Sequence, residues 1–307
     1  MIDLSNKIIN EYVIRKTKKQ KEAFRTLLSE NFECDIQKSF LGSNVIIGDV
    51  QKAKYIYTAH YDTPPKLPFP NLMTPKSLFW YIMYQVVICL MATVVMFFLT
   101  IVVFLIFLLL EKLGISNIME YLYLGILFST IIPLYVLLNG PPNKNNYNDN
   151  TSGVVSLIEL MNKVMNKENC AFVFFDNEEK MLLGSRAFKH KYSKILKDKF
   201  LINIDCVSDG DHLFIHYNNK KTKELYKENL LNCFDEHEIK TIIPDGGFSM
   251  YPSDQAGYPI AIGIAFLRKN KTIGYYLDKI HTKKDICFDE RNINYLTDAL
   301  SKFNDTV

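Results

Sequence analysis

His60 and Asp62 close the run Tyr55-Ile56-Tyr57-Thr58-Ala59, a short apolar segment of the kind that forms an interior strand. Side chains alternate along a strand, so residues two apart point the same way. An imidazole and a carboxylate aimed together suit a metal ligand and the group that orients it. Glu178 and Glu179 follow a second apolar run, residues 170–175, and Asp205 follows a third, residues 200–204. Ligands of open α/β sheets collect at the carboxyl ends of strands. Asp149, at a loop-to-helix junction, and His281, in Lys279-Ile280-His281-Thr282-Lys283-Lys284-Asp285, complete the pool. Two imidazoles and several carboxylates without a thiolate suit a pair of zinc or similar ions. Two ions about 3.5–4 Å apart are joined by a carboxylate and a water, and a carboxylate left over beside them can serve as general base.

The elements that must position these groups alternate in type. Residues 4–29 carry apolar positions at helical spacing (Ile8, Ile9, Tyr12, Val13, Phe24, Leu27, Leu28), with a break expected near Lys16 to Lys19. Strands are expected over 32–40, 44–48, 55–59, 170–175, 200–204, 213–217 and 258–266. Helices are expected over 154–164, from 183 onward, over 222–233 and over 289–303, with Asn150, Thr151 or Ser152 capping the first of these. This alternation predicts a three-layer α/β domain with a central mixed sheet.

One stretch departs from that pattern. After Asp62 the proline-rich segment Thr63-Pro64-Pro65-Lys66-Leu67-Pro68-Phe69-Pro70 precludes regular structure. Residues 78–110 then contain no Asp, Glu, Lys, Arg or His. Such a run exceeds the roughly 20 residues needed to cross a bilayer. The aromatic part around Trp80 to Gln85 is expected at the interface, with spans over 86–110 and 121–138 joined by a polar loop. A buried core hairpin is the alternative, but a soluble helix needs a polar face. The expected domains are therefore 1–66 with 140–307, and an inserted transmembrane hairpin, 67–139. Lys66, Lys76 and Lys144 flank the hairpin where Lys112 alone lies in its loop, which predicts a cytoplasmic catalytic domain and cytoplasmic termini.

The whole chain of 307 residues has a formal charge of only +3, so no global field argues for nucleic acid. Positive charge is local, at Arg15-Lys16-Thr17-Lys18-Lys19-Gln20-Lys21, which reads as a solvated helix face with a membrane surface as the alternative. The six cysteines are scattered, without a CxxC pair, which argues against a thiolate zinc site and a disulfide framework. The first residues contain no apolar run of the signal-peptide kind. His190, His212, His216 and His237 fit no ligand pattern.

Five pieces occur in a specific order: His60-Tyr61-Asp62; Asp149-Asn150-Thr151-Ser152-Gly153; Glu178-Glu179 with Gly184-Ser185; Asn203-Ile204-Asp205; and His281-Thr282-Lys283-Lys284-Asp285. In this order the chain resembles the M28 family of dinuclear zinc aminopeptidases, over about residues 40–65 and 140–300. The resemblance implies the zinc-dependent exopeptidase fold and two Zn2+ ions. Asp149 would bridge them, His60 and Asp205 would hold one, and Glu179 and His281 the other. Glu178 would be the general base and Asp62 the orienter of His60. The substrate would be a peptide with a free N-terminus. The segment Tyr251-Pro252-Ser253-Asp254-Gln255-Ala256-Gly257-Tyr258-Pro259 resembles a further family motif, with Gln255 where histidine is usual, and suggests Tyr251 and Asp254 as pocket residues. The competing readings are a glutaminyl-cyclase-like enzyme with a single zinc and a non-catalytic membrane scaffold of the same fold. The oligomeric state is not legible.

Overall fold

The computed structural model describes residues 2–40, 42–114, 118–234 and 241–306. His237 and residues 115–117 of the loop between the apolar segments lie outside them. The chain opens with helices α1 (Asp3–Glu11) and α2 (Lys18–Asn31), then strands β1 (Cys34–Ser39), β2 (Gly42–Ile47) and β3 (Tyr55–His60). Two long helices follow, α3 (Leu78–Lys112) and α4 (Ile118–Asn139). The remainder is α5 (Ser152–Lys163), β4 (Cys170–Phe175), α6 (Leu183–Tyr192), β5 (Phe200–Ile204), β6 (His212–Tyr217), α7 (Lys220–Leu231), β7 (Thr241–Ile242), β8 (Ala261–Asn270), β9 (Gly274–Tyr276) and α8 (Glu290–Thr306). The break between α1 and α2 falls where expected. Thr17 Oγ1 accepts from the Gln20 backbone N–H, and Gln20 Oε1 accepts from the Thr17 backbone N–H, a reciprocal cap that starts α2.

The strands form one mixed sheet in the order β1-β2-β4-β3-β5-β8-β6-β7, with β9 added to β8. The four central strands, β4, β3, β5 and β8, are parallel, while β2 and β6 run antiparallel at their flanks. Every residue of β3, β4 and β5 is buried, as strands covered on both faces must be. Alternation sorts their side chains. Tyr55, Tyr57, Phe172, Phe174 and Ile202 face a core built with α1, α2, α5 and α8. Ile56, Ala171, Val173, Phe175 and Leu201 face a smaller one closed by Phe188 of α6 and by Tyr258. Helices on both faces of a mixed sheet make the three-layer α/β domain expected from the pattern.

Three differences from the sequence reading have physical causes. β8 starts at Ala261 rather than 258, because Gly257, at φ +81°, and Pro259 hold the chain in a turn first. It runs on to Asn270 because a tight turn pairs it with β9. The basic segment 15–21 is not simply a solvated face. Arg15 is fully buried, with its guanidinium donating to the carbonyls of Tyr61 and Tyr12 and to Thr151 Oγ1 and lying 5.3 Å from the Phe24 ring centroid. Burial lowers its pKa to about 10, against the opposing charge of Asp62. Lys21 is also buried and pairs with Asp176 at 2.5 Å and Asn177 at 2.6 Å.

α3 is a continuous helix of 35 residues, not one residue of which is buried. It and α4, whose described span from Leu122 to Asn139 is apolar, are each long and apolar enough to cross a membrane. The two helices pack on each other. A Cβ on Gly125 would come within 2.4 Å of Val103 Cγ1, so the absence of a side chain permits the approach. Thr100 Oγ1 and Ser129 Oγ meet at 3.1 Å in the same contact. At the start of α3, Trp80 Nε1 donates to the Thr272 carbonyl at 3.1 Å and the Tyr84 hydroxyl to the Pro70 carbonyl at 2.8 Å.

Candidate metal centre

Parallel pairing sets the site. β3 lies between β4 and β5, with His60 opposite Phe175 and Thr58 opposite Asn203. The carboxyl ends of all three strands therefore open on one edge, and each is followed at once by acids. His60 Nε2 lies 3.2 Å from Asp149 Oδ1 and 3.7 Å from Asp205 Oδ1. His281 Nε2 lies 3.0 Å from Asp149 Oδ2 and 3.3 Å from Glu179 Oε1. Asp149 thus turns one oxygen to each imidazole. Two sets of ligand-type atoms result, His60/Asp149/Asp205 and Asp149/Glu179/His281, and the atoms of each set lie within 4.8 Å of one another. A third grouping, His60/Glu178/Glu179, brings Glu178 to the same place.

The turn that presents Glu178 and Glu179 is held by Asp62. Its Oδ1 accepts from the Glu178 backbone N–H at 3.0 Å and its Oδ2 from the Glu179 N–H at 3.4 Å. Asp62 Oδ1 also stands 3.5 Å from His60 Nδ1, an ion-pair separation rather than a close hydrogen bond. Asp149 is placed by the motif that follows it. Asn150 Oδ1 accepts from the Gly153 backbone N–H at 2.8 Å, and Asn150 Nδ2 donates to the Ile204 carbonyl at 3.0 Å, which ties the start of α5 to the end of β5. Any Cβ on Gly153 would lie 2.4 Å from that carbonyl, so this position admits only glycine. The residue that caps α5 is therefore Asn150.

Backbone strain concentrates here. Among the described residues, five that are not glycine have positive φ: Asn177, Met181 and Leu182 around the two glutamates, Cys206 after Asp205, and His281 itself. Left-handed backbone costs free energy, of order 1–3 kcal/mol per residue, and persists where surrounding structure over-determines it, as at functional sites.

The electrostatics favour bound cations. Asp62, Asp149, Glu178, Glu179, Asp205 and Asp254 converge on two imidazoles, and the Glu179 side chain is only 7 % exposed with its buried Oε1 unmatched by any hydrogen bond. Burial alone would depress both imidazoles. Around His60, Glu178, Asp149 and Asp205 outweigh it, and around His281, Glu179 and Asp149 do; both pKa values are driven well above the ordinary range. Burial works to raise Asp149, but His281 and His60 hold it below the usual carboxylate range. Glu178 is pushed well up, first by burial and then by Glu179, Asp254 and Asp205, against His60. A donor set of this kind, imidazole and carboxylate without thiolate, fits divalent zinc.

Sequence reasoning quoted the groups behind these side chains in its motifs but assigned them no role. Ser253 Oγ donates to Asp205 Oδ2 at 2.7 Å, and Asn203 Nδ2 bridges Ser253 Oγ and Gln255 Oε1 at 3.0 and 3.1 Å. Asp285 accepts from the Asn148 and Asp149 backbone N–H groups at 2.9 and 3.2 Å. Burial raises its carboxyl to about 8, helped by the charge of Asp149. Tyr251 and Asp254 are buried at 3 % and 0 % exposure, and the Tyr251 hydroxyl donates to the Asp205 carbonyl at 3.1 Å. Tyr251 thus stands behind the Asp205 ligand position, and both residues offer little free surface.

With this geometry in view, comparison with known proteins is decisive for the family. A sequence profile of Peptidase family M28 matches residues 139–303, more than half of the chain. The chain belongs to peptidase family M28. A search of curated protein sequences gives no match. A similar fold is seen in solved structures. The LapA aminopeptidase of Legionella pneumophila is 12 % identical, with a TM-score of 0.56, 98 % of this chain and 68 % of that chain being covered. A leucine aminopeptidase precursor from Bacteroides thetaiotaomicron is 15 % identical, with a TM-score of 0.57 over 99 % and 94 %. A glutaminyl cyclase from Fimbriiglobus ruber is 15 % identical, with a TM-score of 0.57 over 98 % and 93 %. The M28 chain is therefore a peptidase-family protein of mixed α/β fold that carries two long apolar helices between β3 and α5.

Proposed function

We propose that this M28 chain is an aminopeptidase that uses two zinc ions, held at the membrane by residues 67–139. The observation that carries the reading is the division of Asp149: Oδ1 faces His60 at 3.2 Å and Oδ2 faces His281 at 3.0 Å. A carboxylate shared in this way, with Asp205 on one side and Glu179 on the other, supports two ligand sets rather than one. His60 and Asp205 would hold one ion, His281 and Glu179 the other, and Asp149 both. Zinc, when bound, supplies Lewis acidity that polarises a carbonyl and makes water acidic.

The chain's own groups do the rest. Glu178 stands at the same place and is not required by either set that shares Asp149. Its carboxylate takes a proton from water and returns it to the leaving amine, and burial among other acids raises its proton affinity toward that task. Asp62 orients His60 and fixes the turn carrying Glu178. Tyr251, whose hydroxyl holds the Asp205 carbonyl, and the buried Asp254 support the site from within the fold. The substrate is a peptide with a free N-terminus.

The apolar surfaces of α3 and α4 support insertion in a bilayer, since away from their mutual contact they are largely exposed and would aggregate in water. Lys66, Lys76 and Lys144 at the hairpin's roots against Lys112 at its tip favour a cytoplasmic catalytic domain.

The same fold occurs in the Fimbriiglobus ruber glutaminyl cyclase, so the assay must separate the two chemistries. Leucine and alanine p-nitroanilides are assayed beside a peptide with N-terminal Gln, with and without chelator, and zinc is counted per chain. Release of p-nitroaniline with two zinc equivalents supports the proposal. Pyroglutamate formation with one equivalent and no amide hydrolysis would overturn it.

A further inference from the structure

The loop that carries His281 is held by both roots of the apolar hairpin. On the entry side, Leu67 N–H donates to the His281 carbonyl at 2.8 Å. Further along, Met73 and Leu277 exchange backbone hydrogen bonds at 2.8 and 2.9 Å. On the exit side, Asn145 Nδ2 donates to the Lys283 carbonyl at 2.6 Å. The Tyr147 N–H donates to the Asp285 carbonyl at 3.4 Å, and the Asp285 carboxylate takes the Asn148 and Asp149 N–H groups. The roots also hold each other. Lys66 N–H donates to the Pro141 carbonyl at 2.8 Å and Asn143 N–H to the Pro64 carbonyl at 3.0 Å, around a Pro65–Pro142 bridge.

This arrangement is asymmetric with respect to the two ligand sets. His60 is the last residue of β3 and Asp205 follows β5, so the sheet itself fixes them. His281 sits in no strand or helix, and its backbone is left-handed at φ +59°. A residue held in such a conformation needs its surroundings to keep it there. Those surroundings include the hairpin roots, beside the buried Ile280 and the Lys279–Asp209 pair at 3.1 Å.

We propose that the hairpin roots are positioning elements chiefly for one metal: Leu67 and Asn145 hold the His281 loop, so that the Asp149/Glu179/His281 set depends on them more than the His60/Asp149/Asp205 set, whose shared Asp149 is also tied to β5 through Asn150. This rests on the two-zinc reading. Partners that orient a metal ligand are commonly worth about 10–100-fold in metal affinity. The hairpin is then part of the catalytic domain's metal centre as well as an anchor, and its conformation in the bilayer bears on the occupancy of one site.

The test is zinc binding by the full chain in lipid nanodiscs, titrated with buffered free zinc against a chromophoric chelator. Leu67→Pro removes the N–H that His281 uses, and Asn145→Ala removes the bond to Lys283 without touching the backbone. Two equivalents are expected in the wild type. In each variant one equivalent should keep its affinity while the other weakens about tenfold or more. Circular dichroism reports folding, and Asn145→Ala decides the matter if Leu67→Pro does not fold. Two equivalents of unchanged affinity in a folded variant, or equal weakening of both, would overturn the proposal. A wild type that binds fewer than two equivalents would instead remove the dinuclear reading beneath it.

Discussion

The carboxylate of Asp62 accepts the backbone N–H of Glu178 at 3.0 Å while standing 3.5 Å from Nδ1 of His60. One buried acid thus couples the end of β3 to the turn after β4. Removing it leaves two backbone donors without a partner and takes the carboxylate away from His60 Nδ1. An unsatisfied buried donor costs about 1–3 kcal/mol. Asp62→Ala should therefore weaken zinc binding and lower kcat/KM together, as the His60 tautomer and the Glu178 turn both loosen. Asp62→Asn keeps one acceptor oxygen and should recover part of each. Calorimetric zinc titration checks this, and an Asp62→Ala variant with wild-type zinc affinity would sink the coupling.

Glu178 is expected to act without holding either ion in the Asp149 sets. Glu178→Gln keeps the shape and removes the base. It should retain two zinc equivalents and lose about 10²–10⁴-fold in kcat. Asp149→Asn should instead lose zinc, because the shared carboxylate is weakened toward both imidazoles. Steady-state kinetics beside elemental analysis distinguish the two. Near-normal turnover in Glu178→Gln would refute its assignment as base.

Lys21 and Asp176 form a buried pair at 2.5 Å that locks α2 to the end of β4, and Asp176 Oδ2 also accepts the Ser43 N–H at 2.9 Å. Breaking a buried pair by removing one partner strands the other charge and costs about 3–5 kcal/mol. Asp176→Ala should accordingly lower Tm by more than about 6 °C. Lys21→Met, which removes the charge and keeps the apolar stem, should cost less, since Asp176 keeps the Ser43 N–H even though it and Asn177 Oδ1 both lose the ammonium. Thermal melting of the detergent-solubilised chain reads both.

The strands were legible in the sequence because parallel strands covered on two faces must be unbroken apolar runs, and 55–59, 170–175 and 200–204 are such runs. The acids at their ends were legible for the same reason: each breaks its run at the carboxyl end. β7, of two residues, and β9, of three, are too short to leave a period. Arg15 and Lys21 read as solvent-facing because long charged side chains are buried only when paired, and their partners lie as far away in sequence as Thr151 and Asp176. Ser253 and Asp285 act through contacts that span 48 and 136 residues, which no local pattern encodes.

His216 offers a pH test away from the site. It lies on β6, its Nδ1 2.9 Å from Ser249 Oγ, and burial, with Lys76 nearby, lowers its pKa. An unfolded histidine titrates near about 6.5. Below that pH the unfolded chain binds a proton that the folded chain refuses, so stability is full above about 6.5 and falls as pH drops toward the depressed folded value. His216→Gln should remove that contribution. The difference in Tm between wild type and variant should shrink on acidification below about pH 6.5; a difference that stays constant or widens counts against it.

Cys89 tests the membrane assignment with a residue the chain already has. It is exposed on α3, whereas Cys34, on β1, is half-buried beside Ser29. In water the more exposed thiol would react faster. In a bilayer the order reverses, because a charged maleimide cannot enter the hydrocarbon core to reach a thiol inside the span expected over 86–110. Two single-cysteine chains, retaining only Cys89 or only Cys34, are reconstituted in vesicles and labelled before and after dodecyl sulfate. Before the detergent Cys34 should label more readily than Cys89, which should label only after it. A third chain with Lys112→Cys on the same background reports sidedness: in intact cells it should react from outside, since Lys112 ends α3 opposite the catalytic domain. Rapid labelling of Cys89 in vesicles would mean that α3 lies outside the membrane. Labelling of Cys34 rather than Lys112→Cys from outside would reverse the proposed orientation.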